Sequence, residues 1–273
     1  MSKLPPGWSH EEPSTRALRP LAAQLFPAQE LMKSDLPDTL SRIKAAGYDG
    51  VEFFGGLDWT AQYVRKALDD AGLHIAGWHT PWHYLSPSNI YSTISYNKIL
   101  GNQYLIVPWM PDEALHTTIA CLQFSKVLSR VADTLACHDM LTGYHNHATE
   151  FRPTDDTGQL PWDIIATNTP STVIMQTDIG NGLAGGGDMI NLLKKYPGRS
   201  GTIHVKPHSD ASSDTFFDDP NCNINWEEYF DICRNSAGVR WYIIEYLNDA
   251  RFPGDPIAGL AAAAKWFRGY EGS

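Results

Sequence analysis

The chain has little cysteine, little basic charge and no long apolar run, and each shortage closes off a class of protein. Its four cysteines, Cys121, Cys137, Cys222 and Cys233, lie far apart with no C-x-x-C spacing. That argues against a zinc knuckle or a redox pair and leaves buried free thiols as the expectation. The 21 Lys and Arg are outnumbered by 31 Asp and Glu, for a net charge of -10. Such a field repels a phosphate backbone and no local basic patch offsets it, so no nucleic-acid partner is expected. No stretch approaches the roughly 20 apolar residues that cross a bilayer, and the opening MSKLPPGWSHEEPSTR carries prolines and acids where a signal peptide carries an apolar segment. No membrane partner and a cytoplasmic location follow as expectations. A Gly-rich phosphate turn is missing too: the first apolar run leads into LFPAQELMKSDLP, which counts against an open, doubly wound dinucleotide-binding sheet.

What remains is an ordinary globular composition, 42% hydrophobic and 19% charged, which calls for a packed core. After a polar, Pro-rich arm over residues 1–19, eight short apolar runs alternate with helical patterns through residues 20–273. The runs are Leu21 to Phe26, Gly50 to Phe54, His74 to Trp78, Tyr104 to Val107, Leu141 to His145, Val173 to Thr177, Thr202 to Lys206 and Trp241 to Glu245. Helix signals lie between them: Ser34 to Ala46, with Asp35 to cap and Pro37 in the first turn; Ala61 to Ala71 closed by Gly72; Thr117 to Ala136; Asp188 to Tyr196; Trp226 to Arg234; and Pro256 to Tyr270. Strands joined by crossovers of this length are parallel, and eight such units predict one α/β domain, a single (β/α)8 TIM barrel.

The late strands end in polar, metal-competent residues: YHNHATEF over residues 144–151, QTDIGN over 176–181, TIHVKPH over 202–208 and IIEYLND over 243–249. A barrel brings these ends to one pocket, whereas four strands of a flat sheet would spread them over roughly 14 Å at about 4.8 Å per strand. Glu150, Asp178 and Glu245 would then share a small site with His204. Like charges held so close need a compensating cation. Singly, each has a plainer use: Asp178 as a helix cap, Glu245 as an ion-pair partner, His204 as a hydrogen-bonded core residue. Together they predict a divalent metal, and hard oxygens with one imidazole suit Mn2+ or Mg2+ first and Co2+ or Zn2+ second.

These residues give the chain its resemblance to the xylose isomerase-like TIM-barrel family, often labelled sugar phosphate isomerase/epimerase. The likeness runs through LAAQLFPAQELMKSDLPDTLSRIKAAGYDGVEFFG at residues 21–55, through YHNHATEF, the mark of one branch, and through the later Asp, His-x-Lys and Glu strand ends. It implies metal ligands at Glu150, Asp178, His204 and Glu245, and a homo-oligomer, dimer or tetramer. One departure stands out. Relatives that epimerise free ketoses carry the first ligand within the fifth strand, where this chain has His145. Either His145 takes that place, or His145 and His147 bind substrate while Glu150 reaches back from the loop.

A small carbohydrate substrate is implied. Around the expected pocket, His79, Trp82 and His83 follow strand three, Trp109 follows strand four, and Phe54 and Trp59 follow strand two; the aromatic faces among them suit the C–H face of a sugar ring. Lys206, two residues past His204, shares its face and is placed to steady an oxyanion. The run AGGG before Asp188 offers backbone N–H groups for a phosphate at a helix start or, as such runs more often do, a turn with Asp188 as the cap. The chemistry expected of two carboxylates around a metal is proton abstraction next to a carbonyl through an enediolate, with Glu150 and Glu245 as acid and base: a sugar isomerase or epimerase. The strongest rival is a lyase or dehydratase acting on an inosose, dehydroshikimate or 3-keto-glycoside, since the same enediolate expels a β-substituent. An endonuclease IV-like hydrolase fits less well, because it calls for more histidine ligands and a basic surface. A non-catalytic sugar-binding barrel would hold no metal.

Overall fold

The computed structural model describes residues 20–56, 59–212, 215–247 and 251–271; the predicted N-terminal arm lies outside these residues. Eight parallel strands close into a barrel in chain order: β1 Leu21–Gln24, β2 Gly50–Phe54, β3 His74–His79, β4 Tyr104–Val107, β5 Leu141–His145, β6 Ile174–Asp178, β7 Thr202–Val205 and β8 Trp241–Ile244. The seam is a full ladder, with Leu21, Ala22 and Ala23 of β1 opposite Tyr242, Ile243 and Ile244 of β8. The expected (β/α)8 barrel is what the chain forms.

Ten helices wrap the barrel among the described residues: α1 Gln29–Ser34, α2 Leu36–Ala45, α3 Ala61–Ala71, α4 Ile90–Leu100, α5 Thr118–Ala136, α6 Pro161–Thr167, α7 Ile179–Ala184, α8 Met189–Lys195, α9 Trp226–Asn235 and α10 Pro256–Glu271. Capping chemistry sets their starts. Asp35 accepts from the Asp38 amide, Thr60 from Tyr63, Thr117 from Ala120 and Asp188 from Asn191, each worth about 1 kcal/mol. Asp35, extended at φ −153° and ψ 95°, caps α2 as expected and separates it from α1, which precedes the expected helix. Gly72 ends α3 in the left-handed region at φ 67°, which costs glycine nothing. The AGGG run closes α7, and Asp188 begins α8.

The barrel interior is layered. At its base Tyr104, Ile106, Leu141 and Ile174 pack with Trp241, and above them Ala22, Ala76 and Ile243 touch the same indole. Gly50 admits that indole: a Cβ there would lie 3.0 Å from Trp241 Cη2 and 2.9 Å from the His74 carbonyl. The main apolar core lies outside the strands, where Leu40, Val64, Leu128, Trp162, Phe230 and Phe267 are buried under the helices.

Two expectations need correction. The cysteines are free, but Cys137 is exposed rather than buried because it caps the outer end of α5, where its thiol donates to the Asp133 carbonyl; Cys222 is half-buried. α1, α4, α6 and α7 carry no counterpart among the expected helices. No helix among the described residues is long and apolar enough to cross a membrane.

Candidate active site at the C-terminal end of the barrel

Above the apolar layers the interior turns polar, and every strand except β4 contributes to a single buried cluster. Alternation carries the change: β6 turns Gln176 and Asp178 inward, β7 Thr202 and His204, and β8 hands the chain to Glu245 directly after its last residue. His145 ends β5 and His79 ends β3. His145, Asp178, His204 and Glu245 each offer one ligand atom, and these four atoms lie within 4.8 Å of one another. Atoms bound to one ion at about 2.1 Å are separated by no more than roughly 4.2 Å, so the four are close enough that one cation could be held among them.

Each of these side chains has one polar atom held by the protein and another left toward the centre. His204 contacts Glu52 Oε2 through Nε2 at 2.7 Å, while its Nδ1 lies 3.1 Å from Glu245 Oε2 and 3.7 Å from Asp178 Oδ2. Asp178 accepts the Asn181 amide at 2.7 Å on Oδ1, whereas its Oδ2 is buried without a partner. Asp178 is thus a helix cap and a free carboxylate oxygen at once. Glu245 accepts from Lys206 Nζ at 3.0 Å on Oε1. Gly180 leaves room for the Lys206 stem, since a Cβ there would lie 2.9 Å from Lys206 Cγ.

The electrostatics match a site built around missing positive charge. Burial pushes the Asp178 carboxyl up to about 6, with Glu245 adding to the rise against Lys206 and His204. Burial would hold His204 down, but Glu52 and Glu245 outweigh it and lift the imidazole to about 10. His204 carries the proton that a cation would displace. Glu245 is held well below the usual carboxylate range: burial opposes this, and Lys206 and His204 prevail. A buried orphan carboxylate oxygen next to a forced imidazolium and two further acids is the donor chemistry of a divalent-metal site.

Glu150 is not brought into this cluster. Its loop turns it back beneath the strand end, where Oε1 accepts from the Tyr144 hydroxyl at 2.5 Å and Oε2 from the His147 amide at 2.7 Å. Both oxygens are occupied, and His145 stands beside Asp178 and His204 in its place. Glu150 instead fixes the backbone of His147, whose Nδ1 is buried without a partner and whose ring lies 5.0 Å from that of His145. His79 has both ring nitrogens engaged, Nε2 with Gln176 Oε1 at 2.7 Å and Nδ1 with Gln24 Nε2 at 3.3 Å. Trp82 packs edge-on against Phe124 at 5.3 Å and Phe54 against Phe26 at 5.2 Å. Trp59 is half-buried against the core, His83 lies against Tyr84, and Trp109 is 57% exposed.

Three residues at the heart of the cluster were not anticipated from sequence: Glu52, Gln24 and Gln176, all buried. Gln176 Nε2 donates to Glu52 Oε1 at 2.8 Å and Thr202 Oγ1 at 2.9 Å, and Gln24 Nε2 to Glu52 Oε2 at 2.9 Å. The signal was an acid in GVEFF and an amide in IMQTD on the same alternation as Gly50 and Asp178, legible only once the barrel is closed.

Known proteins resemble the chain in family and in fold. A family model described as xylose isomerase-like TIM barrel matches residues 40–270. A sugar phosphate isomerase/epimerase from Parabacteroides distasonis superposes with a TM-score of 0.75 at 20% identity, over 96% of this chain and 97% of its own. The IolI protein with a bound zinc atom gives 0.69 at 14% identity, over 93% and 98%. A probable 3-DHS dehydratase, AsbF, from Bacillus anthracis gives 0.66 at 11% identity, over 90% and 97%. At these identities the structures speak for the fold. No curated protein matches the chain in sequence.

Proposed function

Because the chain belongs to the xylose isomerase-like TIM-barrel family, we propose that the polar end of its barrel is the active site of a divalent-metal-dependent sugar isomerase or epimerase. The observation that carries the reading is the convergence of His145, Asp178, His204 and Glu245, with an Asp178 oxygen left unsatisfied. Two imidazoles and two carboxylates accept Mn2+, Co2+ or Zn2+ more readily than Mg2+, which prefers oxygen ligands alone. A zinc-bearing barrel of this fold accords with that. When bound, the ion supplies Lewis acidity that makes the C–H beside a carbonyl acidic.

The protein's own groups supply the rest. Lys206 holds Glu245 ionised, the state a base requires, and the ammonium beside it steadies the negative charge that develops. Glu150, with both oxygens occupied, acts through His147 rather than on the substrate. The buried, unpartnered Nδ1 of His147 is the second position able to carry a proton. Exposed Trp109 just past β4 offers its face to the apolar side of a sugar ring. A small carbohydrate is the substrate class.

A lyase or dehydratase is the second reading. It is favoured by the fifth strand ending in histidines instead of a second free carboxylate, and one neighbour's name belongs to that class. The two separate on their products, because elimination yields an unsaturated ketone that absorbs in the ultraviolet and isomerisation does not. The shared step is tested by incubating the protein with a panel of ketoses and 3-keto sugars in deuterium oxide. Deuterium should enter next to the carbonyl, stop when a chelator strips the metal and resume with added Mn2+. Turnover that persists in metal-free protein would refute the proposal.

A further inference from the structure

We propose that Glu52 is a positioning residue that fixes, through one chain of hydrogen bonds, which nitrogen each ligand histidine turns to the metal: Nδ1 of His204 and Nε2 of His145. The inference rests on the metal-centre reading and on no particular substrate.

The logic follows from what each group can donate. An ionised carboxylate only accepts, and Glu52 is surrounded by donors: Gln176 Nε2 at 2.8 Å on Oε1, then His204 Nε2 at 2.7 Å and Gln24 Nε2 at 2.9 Å on Oε2, with His79 Nε2 a further 3.1 Å from Oε2. When a metal displaces the second proton, His204 therefore keeps the one on Nε2 and offers the Nδ1 lone pair on the side of Glu245 and Asp178. The Gln176 amide is fixed by the same charge, since turning it over would set its oxygen against Glu52 Oε1. With its NH2 on Glu52 and Thr202, its oxygen faces the histidines and can only accept. His145 then donates from Nδ1 at 2.9 Å and His79 from Nε2 at 2.7 Å, which leaves Nε2 of His145 for the centre. His79 Nδ1 becomes an acceptor, matched by Gln24 Nε2.

One buried carboxylate thus determines three imidazole tautomers. Gln176, His204 and Gln24 donate to it on both oxygens, so it is not itself a free ligand. The fold reserves space for it: a Cβ on Gly77 would lie 2.9 Å from Glu52 Oε1. Hydrogen-bonding a ligand histidine's other nitrogen to a carboxylate orients the ring and raises its basicity, and such partners are worth 10–100-fold in metal affinity.

The test uses zinc-loaded protein labelled with 15N-histidine, in which long-range 1H–15N correlation reports which nitrogen of each ring carries the proton. His204 should be protonated at Nε2 and His145 at Nδ1. If both rings bind through the same type of nitrogen, the inference is overturned whether or not any variant folds. Glu52→Gln, which sets an NH2 among donors, should weaken zinc binding 10–100-fold, measured by competition with a chromophoric chelator under conditions where wild type and variant are both folded. Zinc bound as tightly by Glu52→Gln as by wild type would remove Glu52 from this role while leaving the metal centre standing. A wild-type chain that binds no zinc would overturn the metal centre and this inference together.

Discussion

The two halves of the barrel interior are made by the same eight strands, yet they are held together by different physics. The lower half is a problem of volume. Trp241 fills the space that Gly50 vacates, and Ile106, Leu141 and Ile174 complete the layer. The upper half is a problem of hydrogen bonding, in which Glu52, Gln24, Gln176, His79, His145 and His204 satisfy one another with almost no water contact. A two-residue step along β2 or β6 crosses from one regime to the other. Side chains in the lower half are replaceable by others of equal size, whereas those in the upper half are replaceable only by others with the same donors and acceptors.

That contrast can be broken most forcefully at Glu52. Glu52→Met keeps the volume but strands the His204, Gln24 and Gln176 donors in a buried place. It should cost about 3–5 kcal/mol in urea unfolding, as removal of one partner of a buried charge network does. A loss under about 1 kcal/mol would mean that the upper half also obeys volume alone. Next is Gly143→Ala on β5, whose Cβ would press on the Ile174 carbonyl and lie 2.8 Å from Ile106 Cδ1. An overpacking penalty of about 1–3 kcal/mol is expected, with zinc affinity unchanged. If it is neutral, the lower layer has slack that the contacts do not show. The mildest test is Ile106→Val, expected to cost about 0.5–1.5 kcal/mol by thermal melting and to leave the ligand histidines undisturbed. A shift in metal affinity there would show that the halves are coupled.

Much of the lower half and of the strand order was legible in the chain, because short apolar runs separated by capped helices leave few other arrangements. β2, β4 and β5 begin and end at the expected residues. α4 was not legible: its sequence, IYSTISYNKIL, is rich in β-branched and aromatic residues, its buried face includes polar Thr93 and Asn97, and its outer face carries Tyr91 and Ile99, so no apolar stripe stands out. In the upper half Asp178, His204 and Glu245 stand out because they lie at or next to strand ends. Glu52 does not stand out, since one acid in GVEFF fits any half-buried strand and becomes central only when β2 faces β6 and β7 across the barrel. The direction of Glu150 depended on how a loop turns five residues beyond β5, which no spacing rule specifies. Tyr144 and the His147 amide decide it.

The claim on which the rest depends is that four strand ends converge on one ion. The direct measurement is an anomalous-difference map from crystals grown with Mn2+ or Zn2+. A single strong peak is expected within about 2.3 Å of ligand atoms on His145, Asp178, His204 and Glu245, with Glu150 still bound to Tyr144 and the His147 amide. A peak ligated by Glu150, or density for no ion at metal concentrations well above those that saturate binding in solution, would contradict it.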